Sequence, residues 1–158
     1  MPRRFPKRRT FVIAAITVAL SVGIVFASVP YLPHSIAPHG HLASAISHSV
    51  PGGDQTRPGF FALSLPGISN NESFAVGVTV TGGAADFCVL TQFAYDNWVA
   101  SYSTSANPGS TISSACIPQR LMGIIQSVIS FKPPSSGTYD VAALNANPQN
   151  VTVTFSPA

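Results

Sequence analysis

Charge is what this sequence has least of: only 8% of its 158 residues are charged, against roughly a quarter in a typical soluble domain. The formal net charge of +3 hides a division along the chain. Arg3, Arg4, Lys7, Arg8 and Arg9 stand together at the N-terminus, while the remainder sets Arg57, Arg120 and Lys132 against Asp54, Glu72, Asp86, Asp96 and Asp140, a balance of 3 − 5 = −2. A body of that sign has no basic groove to track a phosphate backbone, so nucleic acid is not an expected partner. The composition also excludes a coiled coil and a charge-rich disordered tail.

Catalytic chemistry is scarce as well. From Gly59 onward there is no histidine, one glutamate and three aspartates. A serine nucleophile there would lack a base unless the preceding stretch supplied one. No Gly-x-Ser-x-Gly elbow, phosphate-cradling glycine loop or His-Glu-x-x-His helix is present. A carboxylate pair would have to be drawn from Glu72, Asp86, Asp96 and Asp140, and nothing in the sequence brings two together. No catalytic residue is assigned, no cofactor is expected, and the chain reads as a non-enzyme.

What the sequence does have is one long apolar run. Phe11 to Val29 contains no charge, and as a helix it would span roughly 28 Å, close to the hydrocarbon thickness of a bilayer. The basic residues 1–10 then form a cytoplasmic flank by the positive-inside rule, which places the rest of the chain outside. Residues 11–29 read as a signal-anchor or as a signal peptide cleaved after Ala27, which would release the protein. The length of the run and the lack of a clean Ala-x-Ala favour the anchor. The expected location is therefore a single-pass cell-membrane protein with its C-terminal domain extracytoplasmic. Its partners are the membrane itself and other membrane or cell-surface proteins.

Residues 30–58 carry Pro30, Pro33, Pro38, Pro51 and Pro58 among serines, glycines and all four histidines. No apolar period is sustained there, so a semi-extended linker is expected. His39 and His41 are two apart and would point to one side of an extended segment. With His34 and His48 they form a candidate zinc or copper set if the chain folds back. Unspecialised polar residues in a stalk are the competing reading, since four ligands on a flexible segment must pay conformational entropy to assemble.

Residues 59–158 have the period of strands. Phe74, Val76, Val78 and Val80 share one face of SFAVGVTVT, and Val151, Val153 and Phe155 repeat the arrangement. Phe60 to Leu65, Asp86 to Thr91, Ile124 to Phe131 and Thr138 to Leu144 complete a set of at least six strands, with one short helix over Gln92 to Tyr102. Turn residues separate them: Gly82-Gly83, Pro133-Pro134-Ser135-Ser136-Gly137 and Asn145-Ala146-Asn147-Pro148. Gly137 is expected to supply a positive φ. Tyr95, Trp98 and Tyr139 read as core or sheet aromatics, and Asp86 and Asp140 as turn caps or solvent-facing residues. The expected class is all-β, an antiparallel jelly-roll-like sandwich preceded by the transmembrane helix and the Pro/His-rich linker.

Cys88 and Cys116 are the two cysteines and lie on the exported side, where oxidation is allowed. A structural disulfide between them would tie down the Ser/Thr-rich loop from Ser101 to Ser114. Asn71-Glu72-Ser73 and Asn150-Val151-Thr152 are glycosylation sequons.

Asp86, Tyr95, Trp98, Gly137, Thr138, Tyr139, Asn147 and Pro148 form a pattern that resembles exported archaeal and bacterial β-sandwich domains. It is similar to the pre-peptidase C-terminal domain and more distantly to the GOLD domain. The resemblance covers residues 74–156 and consists of fold-determining positions, so it implies architecture rather than activity. Some such domains bind calcium through paired acids, and this chain keeps only Asp86 of an Asp-x-Asp pair. Two functions are expected from the whole: a membrane-anchored binding, adhesion or display module, or alternatively an accessory single-pass subunit of a larger membrane complex.

Overall fold

Alternating apolar residues build nine strands among the described residues: β1 His34–Ile36, β2 Ile46–Val50, β3 Gly59–Ile68, β4 Phe74–Thr81, β5 Ala85–Thr91, β6 Leu121–Ile124, β7 Gln126–Phe131, β8 Gly137–Asn145 and β9 Val151–Pro157. The computed structural model describes residues 34–36 and 42–158, all of them within one compact unit, Pro33–Ala158. The basic flank, the apolar run 11–29, His39 and His41 lie outside the described residues. Among the described residues no helix is long and apolar enough to cross a membrane.

The strands form a five-stranded sheet, β1-β3-β8-β5-β6, and a four-stranded sheet, β2-β9-β4-β7. Every pairing is antiparallel except β1 with β3. One apolar cluster joins the two sheets, with Val76, Val78, Val153 and Phe155 from the smaller facing Phe61, Leu63, Phe87 and Val141 from the larger. The inward and outward positions of β4 and β9 follow the alternation in their sequences. The result is a mostly antiparallel, β-sandwich-like fold with few helices.

A second cluster lies on the outer face of the larger sheet. Cys88, Leu90, Ala62, Ala142 and Leu144 meet Tyr95, Trp98 and Ile112 there. The covering elements are the helix α1, Gln92–Tyr102, the short helix α2, Pro108–Thr111, and a single turn of 3-10 helix, Ile112–Ala115. The Thr91 hydroxyl caps α1 by accepting the Ala94 N–H at 3.2 Å. The Trp98 indole donates to the Pro108 carbonyl at 2.9 Å, fastening α2 to α1. Because β5 is sandwiched between two apolar layers, its first six residues are all buried, which explains why ADFCVL shows no alternation.

Four expectations need correction. The stretch 30–58 is not linker throughout: β2 pairs with β9 from Ile46↔Phe155 to Val50↔Val151. The prolines and serines there mask a short pattern that only its sheet partner satisfies. Arg57 extends the attachment, donating to the Tyr102 and Ser105 carbonyls at 2.8 and 2.9 Å, where the carbonyl end of α1 favours a cation. The expected strand Ile124 to Phe131 is two strands in different sheets. The chain crosses between them at Ile125, whose carbonyl accepts the Val80 N–H at 2.7 Å.

Next, the loop Ser101 to Ser114 is largely ordered into α2 and the 3-10 turn over β5. Gly109 makes this approach feasible, because a Cβ there would lie 2.2 Å from the Gln55 carbonyl oxygen. Finally, positive φ falls at Gly67, Gly82 and Gly123, not at Gly137. The 133–137 turn is closed instead by Tyr139, whose hydroxyl donates to the Ser135 carbonyl at 2.7 Å, the geometry of a tyrosine corner.

Candidate functional site

Three of the four large apolar side chains that are exposed among the described residues lie on neighbouring stretches of the chain. Met122, Ile125 and Val128 are 66%, 62% and 58% exposed, and among the described residues Phe93 alone joins them in that class. All three lie on β6, β7 or the crossing between them. These are the edge strands of the two sheets on that side. Between the edges opens a cleft of about 250 Å³, walled by Phe87 and Val89 of β5, by Ile117, Pro118 and Leu121, and by Ser127 to Ser130 of β7. Its lining mixes apolar and polar surface in nearly equal parts and carries no charge.

Ionic and covalent ties hold β5 to the elements around it. Asp86, at the start of β5, accepts two bonds from Arg120, Nε at 3.1 Å and Nη2 at 2.6 Å. Its other oxygen accepts the Gly123 N–H at 2.7 Å. Arg120 also donates to the Gly109 carbonyl at 2.6 Å and to Ser113 at 3.2 Å. Each side chain of the pair is about 10% exposed. Asp86 is thus neither a turn cap nor solvent-facing: its carboxylate locks β5, β6 and α2 together.

Cys88 and Cys116 are bonded, S–S 2.03 Å, across a sequence separation of 28. The bridge anchors the end of the 3-10 turn beneath which β5 runs. Replacing both cysteines with alanine is expected to cost about 3–4 kcal/mol from loop closure. Urea unfolding of the double variant against the oxidised protein measures it, and a loss under about 1 kcal/mol would mean the packed lid alone suffices.

Asp140 is fully buried in β8, which corrects its reading as a surface residue. It sits in the register between Ser64 of β3 and Leu90 of β5. Tyr95 is also buried, and its hydroxyl has no hydrogen-bond partner among the described residues. Burial, with the fields of Asp140 and Asp96 behind it, pushes that hydroxyl well above its ordinary value, so it stays protonated. Asp54, by contrast, is held below the usual carboxylate range by hydrogen bonds from the Thr56 hydroxyl and from the Arg57 and Thr56 backbone. It organises the turn that presents Arg57.

Of the four histidines, His48 lies on β2 with its ring stacked on Phe61 at 3.9 Å between centroids and 20° between planes. His34 is placed on β1 by its backbone, and His39 and His41 are outside the described residues. Among the described residues no cluster of three metal-ligating side chains occurs. The sequon residue Asn71 lies in the exposed turn between β3 and β4. Asn150 is exposed too, and its side-chain oxygen accepts the Gly52 N–H at 3.0 Å.

The β6–β7 side was not singled out by sequence reasoning. A signal was present: LMGIIQSVISF, Leu121 to Phe131, is the longest stretch of the strand-forming body rich in large apolar residues and free of charge and proline. Its exposure depends on both strands being sheet edges, which no local pattern encodes.

The geometry defines a class: a β-sandwich-like domain with one disulfide, a helical cover on one sheet and an open apolar side between two edge strands. No family model and no curated protein matches the chain. Among solved structures it is similar to a periplasmic inhibitor of g-type lysozyme from Aeromonas hydrophila, with 15% identity and a TM-score of 0.42, covering 80% of this chain and 98% of that one. It is also similar to the pre-peptidase C-terminal domain of a Bacillus anthracis collagenase, with 14% identity and a TM-score of 0.37, covering 78% and 91%. Both are weak likenesses at the level of fold.

Proposed function

We propose that the protein is a membrane-anchored, extracytoplasmic, jelly-roll-like β-sandwich that works as a non-catalytic binding or display module. Residues 11–29 hold it to the membrane, and the open β6–β7 side is its recognition surface. The observation that carries this reading is the exposure of Met122, Ile125 and Val128 on β6, β7 and the crossing between them, with Val128 also lining the cleft beside β7. Large apolar side chains left in water at one place lower solubility, and a binding surface gives them a use.

The domain's negative balance of −2 after residue 10 suits protein contact rather than phosphate contact. Gentle detergent extraction followed by native electrophoresis tests the reading. A display module runs at the mass of one or two chains, whereas an accessory subunit of a larger assembly runs as a discrete band of much higher mass. Labelling intact cells with an impermeant amine reagent tests the orientation: Lys132 is modified and Lys7 is protected in an outward-facing domain.

A further inference from the structure

Edge strands are sites where one sheet can add to another, and proteins normally blunt them with charge, proline, bulges or brevity. Three of the four edges here carry such a device. β1 has three residues. β2 has five residues and exposes only polar side chains, Ser47, His48 and Ser49. β6 has four residues, contains Gly123 at φ +65°, and pairs with β5 through a register irregularity between Ala85 and Phe87.

β7 carries none. Its sequence QSVISF has no charge, proline or glycine, and it pairs with β4 in unbroken register from Phe74↔Phe131 to Thr79↔Gln126. Its outer side is the last of the four-stranded sheet, so its outward N–H and C=O groups are addressed to another strand. Val128, at the middle of the strand, is 58% exposed.

We infer that β7 pairs antiparallel with β7 of a second copy of this chain, making a two-fold dimer through a continuous sheet. This rests on the reading of the β6–β7 side as a recognition surface and names its occupant. The strand is self-complementary in the way a two-fold axis requires. A register centred on Val128 sets that residue against its own counterpart, Ser127 against Ile129 and Gln126 against Ser130. Ile129 and Phe131 face the core and Gln126, Val128 and Ser130 are exposed, so this register keeps inner residues beside inner ones and outer beside outer.

Electrostatics is compatible as well. No charge occurs between Leu121 and Phe131, and in this register the Lys132 residues of the two copies stand at opposite ends of the seam. Like charges across a two-fold axis, the usual obstacle to self-pairing, are therefore absent. Each four-stranded sheet would join its twin into one of eight strands.

The test is sedimentation velocity of the purified full chain in mild detergent, with hydrogen exchange read at the β7 amides. The wild type is expected to sediment as a concentration-dependent dimer, with the amides of residues 126–131 protected more strongly at high than at low concentration. Val128→Lys places two ammonium groups face to face and is expected to weaken dimerisation at least tenfold and to remove that extra protection. Because Val128 is exposed, the monomer fold persists, checked by an unchanged circular dichroism spectrum. Phe93→Lys, at the 77% exposed position on α1, is expected to leave the dimer intact.

A wild type that is monomeric throughout, or a dimer that Val128→Lys does not weaken, overturns the proposal. Neither result touches the broader reading of a display module, which fails separately if native electrophoresis finds only a large complex.

Discussion

Asn145→Asp is expected to destabilise the domain by about 3–5 kcal/mol at neutral pH, the sum of three lost donor contacts and the burial of a charge. Asn145 is fully buried at the end of β8. Its amide donates to the carbonyls of Val50 at 3.3 Å, Pro51 at 2.9 Å and Gln149 at 2.8 Å. Its oxygen accepts both the backbone N–H and the side-chain amide of Asn147, at 2.9 and 2.8 Å. Asn147 passes the connection to the Ala84 carbonyl at 2.7 Å. One side chain therefore joins the exits of β2 and β8 to the turn before β9. A carboxylate matches asparagine in shape but has no proton to offer three carbonyl oxygens.

The sign of the pH dependence follows from that clash. Burial and the carbonyl dipoles oppose charge, so the introduced carboxyl titrates above its unfolded value of about 3.9. Its contribution is most favourable below that value and is lost as pH rises through the raised folded value. Relative to wild type at the same pH, the variant's deficit should be smallest near about pH 3.5 and grow toward neutrality. It does not vanish in acid, since a protonated carboxyl replaces two N–H donors with one O–H. Urea unfolding of both proteins across this range measures it. A deficit independent of pH would show that the site hydrates the charge.

The second large effect is expected at Arg120. Arg120→Ala removes two bonds to Asp86 and two more to Gly109 and Ser113, leaving a nearly buried carboxylate with the Gly123 N–H as its remaining partner in this group. Stripping one member of a buried ion pair costs about 3–5 kcal/mol, most of it the desolvation of the charge left behind. Asp86→Asn with Arg120→Met removes both charges and is expected to cost clearly less than Arg120→Ala alone. The double-mutant cycle built from Asp86→Asn and Arg120→Met singly and together isolates the coupling. A full loss in the neutral pair would show that packing around Arg120, and not charge, governs this corner. Loosening here also frees β6, so native exchange at residues 121–124 should rise first.

These two positions show where local reading stops. Asp86 carries the signature of a turn cap or a solvent-facing residue, and nothing near it announces Arg120, which is 34 residues away. Asn147 reads correctly as a turn residue, but Asn145, read the same way, is the last residue of β8, and its side chain reaches back to Val50 and Pro51, a segment assigned to linker. The helix α1 was legible to its ends, Gln92–Tyr102, because no strand alternation competes there. The disulfide was legible because the chain has two cysteines, Cys88 and Cys116. The candidate surface was not, since Leu121 to Phe131 has the same composition whether it is a central strand or two edges.

The sequence by itself determined the division of charge, the strand identities of β3, β4, β8 and β9, the inward faces of β4 and β9, and the pairing of Cys88 with Cys116. The strand identities and their faces follow from nearest-neighbour spacing, where a period of two leaves no choice of face, and the disulfide from there being two cysteines to pair. The tertiary structure decided which sheet each strand joins, that the chain changes sheets at Ile125, that β5 is covered on both sides, and that β7 ends a sheet without protection. Those outcomes depend on contacts between residues far apart in the chain, set by packing and hydrogen-bond completion across the whole fold. The shortage of charge, a statement about solubility when read along the chain, becomes in three dimensions a neutral edge able to meet its own copy.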